Sequence, residues 1–196
     1  VELSSIDKDA AILYTINKGK KAKQYTEPIS MRDGGTVTAW FANNPSIKTT
    51  TTFKKLETIQ TEVIYASSEE VGDGDAKNLV DGDPATYWHS MYSVTVAKYP
   101  HWVDLDAGEV KTIKGFTYMP RQDSYNGNVK EYTIHVSMDG KNWGEPVQKG
   151  KFACNRDEKK VIFSQPVKGR YIRFTALSEQ YGQDYASGAE LTILAE

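Results

Sequence analysis

The chain has 196 residues, 39% of them hydrophobic and 26% charged, enough for one large or two modest soluble domains. A net charge of −2 leaves no positive excess to bind nucleic acid or an anionic membrane. The single cysteine, Cys154, excludes an internal disulfide and a cysteine-based metal cage and reads as a small apolar side chain of the interior. No apolar run approaches the ~20 residues of a membrane span. No signal peptide stands at Val1, where the chain reads as beginning partway into a larger protein.

In the first 60 or so residues the pattern is of short strands. Ile12, Tyr14 and Ile16 alternate with Leu13 and Thr15, and Val37, Ala39 and Phe41 with Thr38 and Trp40, the period of two of half-buried strands. Turns are expected at Asn17 to Lys21, Glu27-Pro28 and Arg32 to Gly35. This predicts a small β-sandwich without a site. Thr49 to Thr52 and Lys54-Lys55 form a polar patch, but Phe53, Leu56 and Ile59 argue for a strand with a charged outer face. The boundary is placed between residues 62 and 63.

Strands continue beyond it. Val103 and Leu105, Phe116 and Tyr118, then Tyr132, Ile134 and Val136 mark three, and Asp139-Gly140 gives a tight turn before Trp143. Val161 with Phe163, Ile172 with Phe174, and Leu191 with Ile193 mark three more. With no 3.6-residue periodicity anywhere, the fold predicted is all-β, a sandwich or jelly roll whose loops gather at its ends. Trp88, Trp102 and Trp143 are expected in the core. His101 and His135 lie at strand positions without a third nitrogen or sulfur ligand, so zinc is not expected.

Asn78 to Ser90 is the densest stretch, carrying Asp81, Asp83, Thr86, Trp88 and His89 in a loop broken by Gly82 and Pro84. Its clustered oxygens suit Ca²⁺. On composition alone, turn formation is the simpler account of the two aspartates. A second loop, Arg121 to Asn128, combines a guanidinium, amides and Tyr125, the groups that hydrogen-bond and stack on a sugar. The plainer alternative is a surface hairpin in which Arg121 pairs with Asp123. No nucleophile elbow, phosphate loop or metalloprotease motif occurs, so the segment reads as non-catalytic.

Two resemblances sharpen this. Ile12 to Asn17, Tyr25 to Ile29 and Gly35 to Ala39 resemble the small immunoglobulin-like module at the C-terminal side of chitobiase and related β-hexosaminidases. That family usually carries Asp-Gly-Ser where this chain has Asn17-Lys18-Gly19, and the resemblance implies a spacer over residues 1–62. Asn78 to Ser90, Pro100 to Leu105, Ile113 to Arg121, Tyr132 to Trp143 and Gly169 to Phe174, in that order, resemble the coagulation factor V/VIII type C, or discoidin, domain in its bacterial form, the family 32 carbohydrate-binding modules.

For residues 63–196 this implies a discoidin-like β-sandwich that binds glycans, of galactose or N-acetylhexosamine type. Its implied role is to target the catalytic domain of the same polypeptide, a glycoside hydrolase, outside the cytoplasm of a bacterium (secreted, periplasmic or on the cell surface). It also implies a structural Ca²⁺ held by the carbonyl of Asn78, by Asp81, Asp83 and Thr86, and by Ala189-Glu190. Glu190 has support of its own, since between inward-facing Ala189 and Leu191 it must point the other way. Sugar contacts are implied at Arg121 with Asn126 or Asn128, while His89, Tyr92, Tyr125 and Tyr181 are the candidates for the remaining walls. The competing functions are an adhesion module for protein or lipid surfaces and a purely structural brace for a catalytic domain.

Overall fold

A computed structural model describes residues 1–7, 9–31 and 33–196; Arg32, in the expected turn at 32–35, lies outside them. The chain divides into two compact units, Val1–Leu56 and Glu57–Glu196. The division falls ahead of the expected boundary at 62/63 because Glu57–Ile59 pairs with the last strand of the chain and so belongs to the second unit.

In the first unit β1 (Ile12–Ile16), β2 (Lys23–Gln24), β3 (Gly35–Phe41) and β4 (Asn44–Phe53) form one antiparallel sheet in the order β2-β1-β3-β4. Asn17 and Lys18 turn with positive φ (50° and 58°), and the Asn17 side-chain oxygen accepts from the Thr36 amide at 2.8 Å. The threonine patch is strand: Thr36 and Thr38 meet Thr52 and Thr50 hydroxyl to hydroxyl at 3.2 and 3.0 Å across β3 and β4. That strand ends at Phe53, and Leu56 stands outside it.

The second unit contains β5 (Glu57–Ile59), β6 (Glu62–Ala66), a 3₁₀ turn (Ala76–Val80), β7 (Trp88–His89), β8 (His101–Met119), β9 (Glu131–Ser137), β10 (Gln148–Lys151), β11 (Lys159–Ala176), β12 (Ser187–Gly188) and β13 (Glu190–Ala195). The main sheet runs β10-β9-β11-β8-β13-β5, with β6 also on β8. β8 and β11 are long enough to serve both layers of a sandwich. Their segments His101–Asp106 and Tyr171–Ala176 pair with each other and with β6 and β9; their other halves pair with each other and with β13. Register shifts in β11 on either side of Val167–Gly169 mark the bend.

Alternation then aims Val103, Leu105, Tyr132, Ile134, Ile172 and Phe174 into one core with Phe116, Tyr118, Leu191 and Ile193. Phe116 meets Tyr132 edge-on at 5.5 Å, and Phe152 stacks on both Tyr132 (4.1 Å) and Tyr118 (4.8 Å). Trp88 is fully buried in this core. Trp102 and Trp143 are not: both are half-buried and flank the Arg173 guanidinium at 5.4 and 4.3 Å. Arg173 in turn makes a bidentate pair with Asp104 at 2.6 and 2.7 Å, so the two rings cover a charged group on the outer face. Cys154 is exposed, contrary to the interior position expected of it.

Phe116 is wholly buried and ringed by aromatic partners, so Phe116→Ala should lower the unfolding free energy of the second unit by about 3–5 kcal/mol. Val110→Ala, at a half-exposed position, should change it by less than about 0.5 kcal/mol. Denaturant titration of both variants checks this.

Candidate functional site

The site is built on β7. Trp88 is fixed by the core and by donation from its indole Nε1 to the Ser68 carbonyl at 2.9 Å. That holds the next residue, His89, 3% exposed at the inner wall of a cleft. Its Nδ1 lies 2.6 Å from the Ser90 carbonyl oxygen. A carbonyl only accepts, so Nδ1 carries the proton and Nε2 keeps its lone pair. Gly74 allows this packing, since a Cβ there would come within 2.7 Å of the His89 Cβ. The ring meets Tyr92 edge-on at 4.9 Å and Tyr185 at 5.5 Å.

Arg121 forms the opposite wall. It is 8% exposed, its guanidinium lies 3.7 Å from the centre of the Tyr87 ring, and Asp123 takes two of its N–H donors at 2.8 and 2.7 Å. The Arg121–Asp123 pair of the plainer alternative is present, but on a buried side chain at the cleft wall. It aims the arginine without consuming it, because three of the five donors are left over.

Two carboxylates hold the rim. Glu70 accepts from the Tyr92 and Ser93 amides at 2.7 and 3.0 Å and from the Ser93 hydroxyl, which together keep its carboxyl below its ordinary range. Asp73 accepts from the Tyr92 phenol at 2.6 Å, which pushes that phenol up to about 12. The far loop is tied down by donation from His101 Nε2 to the Asp184 carbonyl at 2.7 Å and from the Tyr99 phenol to the Tyr185 carbonyl.

The result is a cleft of about 280 Å³ lined by Tyr87, His89, Tyr92, Arg121, Asn126 and Tyr185. Of the expected sugar contacts, Arg121, Asn126, His89 and Tyr92 come together there. Asn128 does not. It is 1% exposed with its amide turned toward the Asn155 carbonyl at 3.4 Å, because Gly127 (φ +75°) folds the chain inward between the two asparagines. Tyr125 and Tyr181 lie outside the cleft and face each other at 6.2 Å. Tyr87 and Tyr185 line the cleft beyond the expected contacts. Tyr87 is legible in the sequence, since residues two apart share one side of an extended chain and Tyr87 precedes His89 by two; Tyr185 closes the Gln180–Tyr185 loop, whose expected contact is Tyr181.

The other half of the loop gathers oxygens. Asp81 accepts from the Thr86 hydroxyl at 2.7 Å and from the Asp83 amide at 2.9 Å, and Asp83 accepts from the Ala85 amide at 2.9 Å. The Asn78 side chain donates to the Tyr87 carbonyl at 3.1 Å, and the Ala189 amide to the Met119 carbonyl. Glu190, first in β13, has a buried Oε1 without a hydrogen-bond partner. Burial, and then the charge of Asp81, push its carboxyl up to about 7. A half-buried carboxylate near a second one, with one buried and orphaned oxygen, fits a hard cation. Among the described residues no three His, Cys, Asp or Glu side chains are gathered closely enough to hold a metal by themselves, so carbonyl and hydroxyl oxygens would have to complete such a shell.

An antiparallel sandwich with a loop-built cleft of phenols, an imidazole, an amide and an oriented guanidinium has the architecture of a binding domain. Residues 63–191 match the F5/8 type C domain, and the chain belongs to that family. It is 39% identical over 172 residues to a sialidase of Micromonospora viridifaciens, covering 86% of this chain and 26% of that protein, so it spans about a quarter of that relative's length. A CBM32 domain from Clostridium perfringens, solved in complex with GalNAc-β-1,3-galactose, is 31% identical with a TM-score of 0.64, covering 70% of this chain and 99% of that one. A family 32 CBM from C. perfringens in complex with galactose is 26% identical with a TM-score of 0.64, covering 71% and 98%. Residues 63–191 are accordingly a non-catalytic module of this kind.

Burial pushes His89 and His101 below their ordinary value of 6.5; at His89 the Ser90 carbonyl opposes this, Arg121 adds to it, and Asp73 and Glu70 oppose it. With folded values below unfolded ones, the unfolded chain takes up protons first as pH falls. Their contribution to stability is therefore complete above pH 6.5 and declines below it. Thermal melts from pH 7.5 to 5.5 should show a flatter decline for His101→Gln than for the unsubstituted protein.

Proposed function

We propose that the second unit binds glycans bearing galactose or N-acetylhexosamine and so targets an attached glycoside hydrolase to its substrate, the first unit serving as a spacer. The observation that carries this is Arg121, buried at the cleft wall, stacked on Tyr87 and aimed by Asp123 with donors to spare. Arg121 and Asn126 donate to neighbouring hydroxyls, His89 Nε2 accepts from a third, and a phenol ring covers the apolar face of the pyranose. The sialidase relative and the two sugar-bound modules support the ligand class and the attachment to a hydrolase. A bacterial setting outside the cytoplasm follows from the same reading, and no helix among the described residues is long and apolar enough to cross a membrane.

Losing the Arg121 charge-assisted bonds removes about 1.5–3 kcal/mol, so Arg121→Ala should weaken galactose binding by about 10- to 150-fold in calorimetric titration, while Val110→Ala leaves it intact. Absence of binding to every sugar of a glycan array would overturn the reading and favour a bracing role. A second reading, adhesion to a lipid or protein surface, rests on Val94 and Val96, exposed by 85% and 37% on the loop after Tyr92; capture of the protein by vesicles would support it.

The same proposal places a structural Ca²⁺ at the Asn78 carbonyl, Asp81, Asp83, Thr86, the Ala189 carbonyl and Glu190, where it would neutralise facing carboxylates and tie the loop to β13. Calcium at a hundredfold excess over Kd should then stabilise chelator-treated protein by about 2.7 kcal/mol. Glu190→Gln should reduce that gain. A melting temperature indifferent to calcium would overturn the assignment.

A further inference from the structure

Beside the cleft lies a second aromatic feature. Tyr125 and Tyr181 are exposed by 40% and 60% and meet edge to face at 6.2 Å. The Arg156 guanidinium lies 4.7 Å from the centre of the Tyr125 ring and is anchored by donation to the Gln122 carbonyl. Arg156 is exposed, and among the described residues its guanidinium makes one hydrogen bond, to Gln122, so most of its donors are left for a ligand. The thiol of Cys154 reaches the Tyr181 hydroxyl at 3.4 Å.

Packing does not account for this pair. Neither ring is buried, and each exposes apolar surface to water that turning inward would remove. What distinguishes the patch is its connection to the cleft. One loop supplies Arg121 and Asn126 to the cleft and Tyr125 to the patch, and the other supplies Tyr185 to the cleft and Tyr181 to the patch. Both are held. The Asn126 carbonyl accepts from the Ser187 hydroxyl at 2.7 Å, and the Glu179 carboxylate accepts from the Tyr181 and Gln183 amides at 2.6 and 3.1 Å. The two surfaces therefore keep a fixed spacing.

We infer that Tyr125, Tyr181 and Arg156 form a second subsite, which takes the next sugar unit of a glycan whose terminal residue fills the cleft. This rests on the glycan-binding reading above. The cleft, at about 280 Å³, has room for little more than one pyranose, so a longer glycan must leave it over one rim. At this rim a phenol ring meets the apolar face of the second pyranose, and Arg156 donates to its hydroxyls.

The test is calorimetric titration with methyl β-galactoside and with β-1,3-, β-1,4- and β-1,6-linked galactosyl disaccharides. At least one disaccharide should bind about 3- to 10-fold tighter than the monosaccharide, the gain expected of one aromatic stacking contact. In a Tyr125→Ala/Tyr181→Ala double variant that ratio should fall to one, whereas Tyr125→Phe, which keeps the ring, should preserve it. Circular dichroism confirms folding, to which two exposed side chains contribute little. A ratio of one for every linkage in the unsubstituted protein, or a gain that survives the double substitution, overturns the subsite and leaves the cleft reading standing. Failure to bind methyl β-galactoside, methyl N-acetyl-β-galactosaminide or any disaccharide overturns both.

Discussion

Ser187 is the point at which the core and the binding loops meet. The residue is fully buried, and each of its polar groups is used: its amide donates to the Gly127 carbonyl at 2.8 Å, its carbonyl accepts from the Tyr118 phenol at 2.6 Å, and its hydroxyl donates to the Asn126 carbonyl. Its backbone pairs with His89. The position of one buried serine thus fixes both an imidazole and an amide of the cleft relative to an aromatic side chain at the centre of the sandwich. Leaving any of these groups unpaired in so dry a place would cost about 1–3 kcal/mol, which makes the arrangement close to all-or-none. A loop-built site acquires in this way the rigidity usually reserved for strands.

The carboxylates around the cleft act by orientation. Asp123 and Tyr87 together determine where the Arg121 guanidinium points, and a buried guanidinium without such partners would carry a heavy desolvation cost. Glu70 does for the Tyr92–Ser93 backbone what a helix cap does for a helix end, collecting amides that the turn leaves unpaired. Asp73 fixes a phenol. These acids are spent on holding donors and rings still, so the surface they present to a ligand consists of the groups they position.

The strands were legible because a half-buried strand must alternate, and β1, β3, β8, β9 and β13 do. The site was legible in part. Arg121, Asn126, His89 and Tyr92 sit in polar loops, where residue type alone suggests contact with a ligand. What could not be read depends on facing partners far away in the chain. Trp102 and Trp143 looked like core because large rings normally are, yet their partner is Arg173, charged and held on the outer face by Asp104. Cys154 looked like interior, but the Ala153–Glu158 stretch that carries it is a surface turn. Asn128 was separated from Asn126 only by the left-handed conformation of Gly127. β5 fell to the second unit because its hydrogen-bond partner is β13, more than a hundred residues later.

The stretch from Asn78 to His89 also joins the two halves of the proposed site. Asn78 donates to the Tyr87 carbonyl, and Thr86, whose hydroxyl is held by Asp81, is the residue immediately before Tyr87. The ring of Tyr87 carries the Arg121 guanidinium. A cation at the oxygen cluster would therefore act on sugar recognition without touching sugar, by restricting the backbone from which the platform beneath the arginine projects. Burial and then the charge of Asp81 raise the Glu190 carboxyl to about 7, a cost of ionisation that a bound cation would offset. The oxygens of that loop and the aromatics that follow it thus form a single mechanical element, anchored at one end by the buried indole of Trp88 and, with a cation bound, by charge at the other.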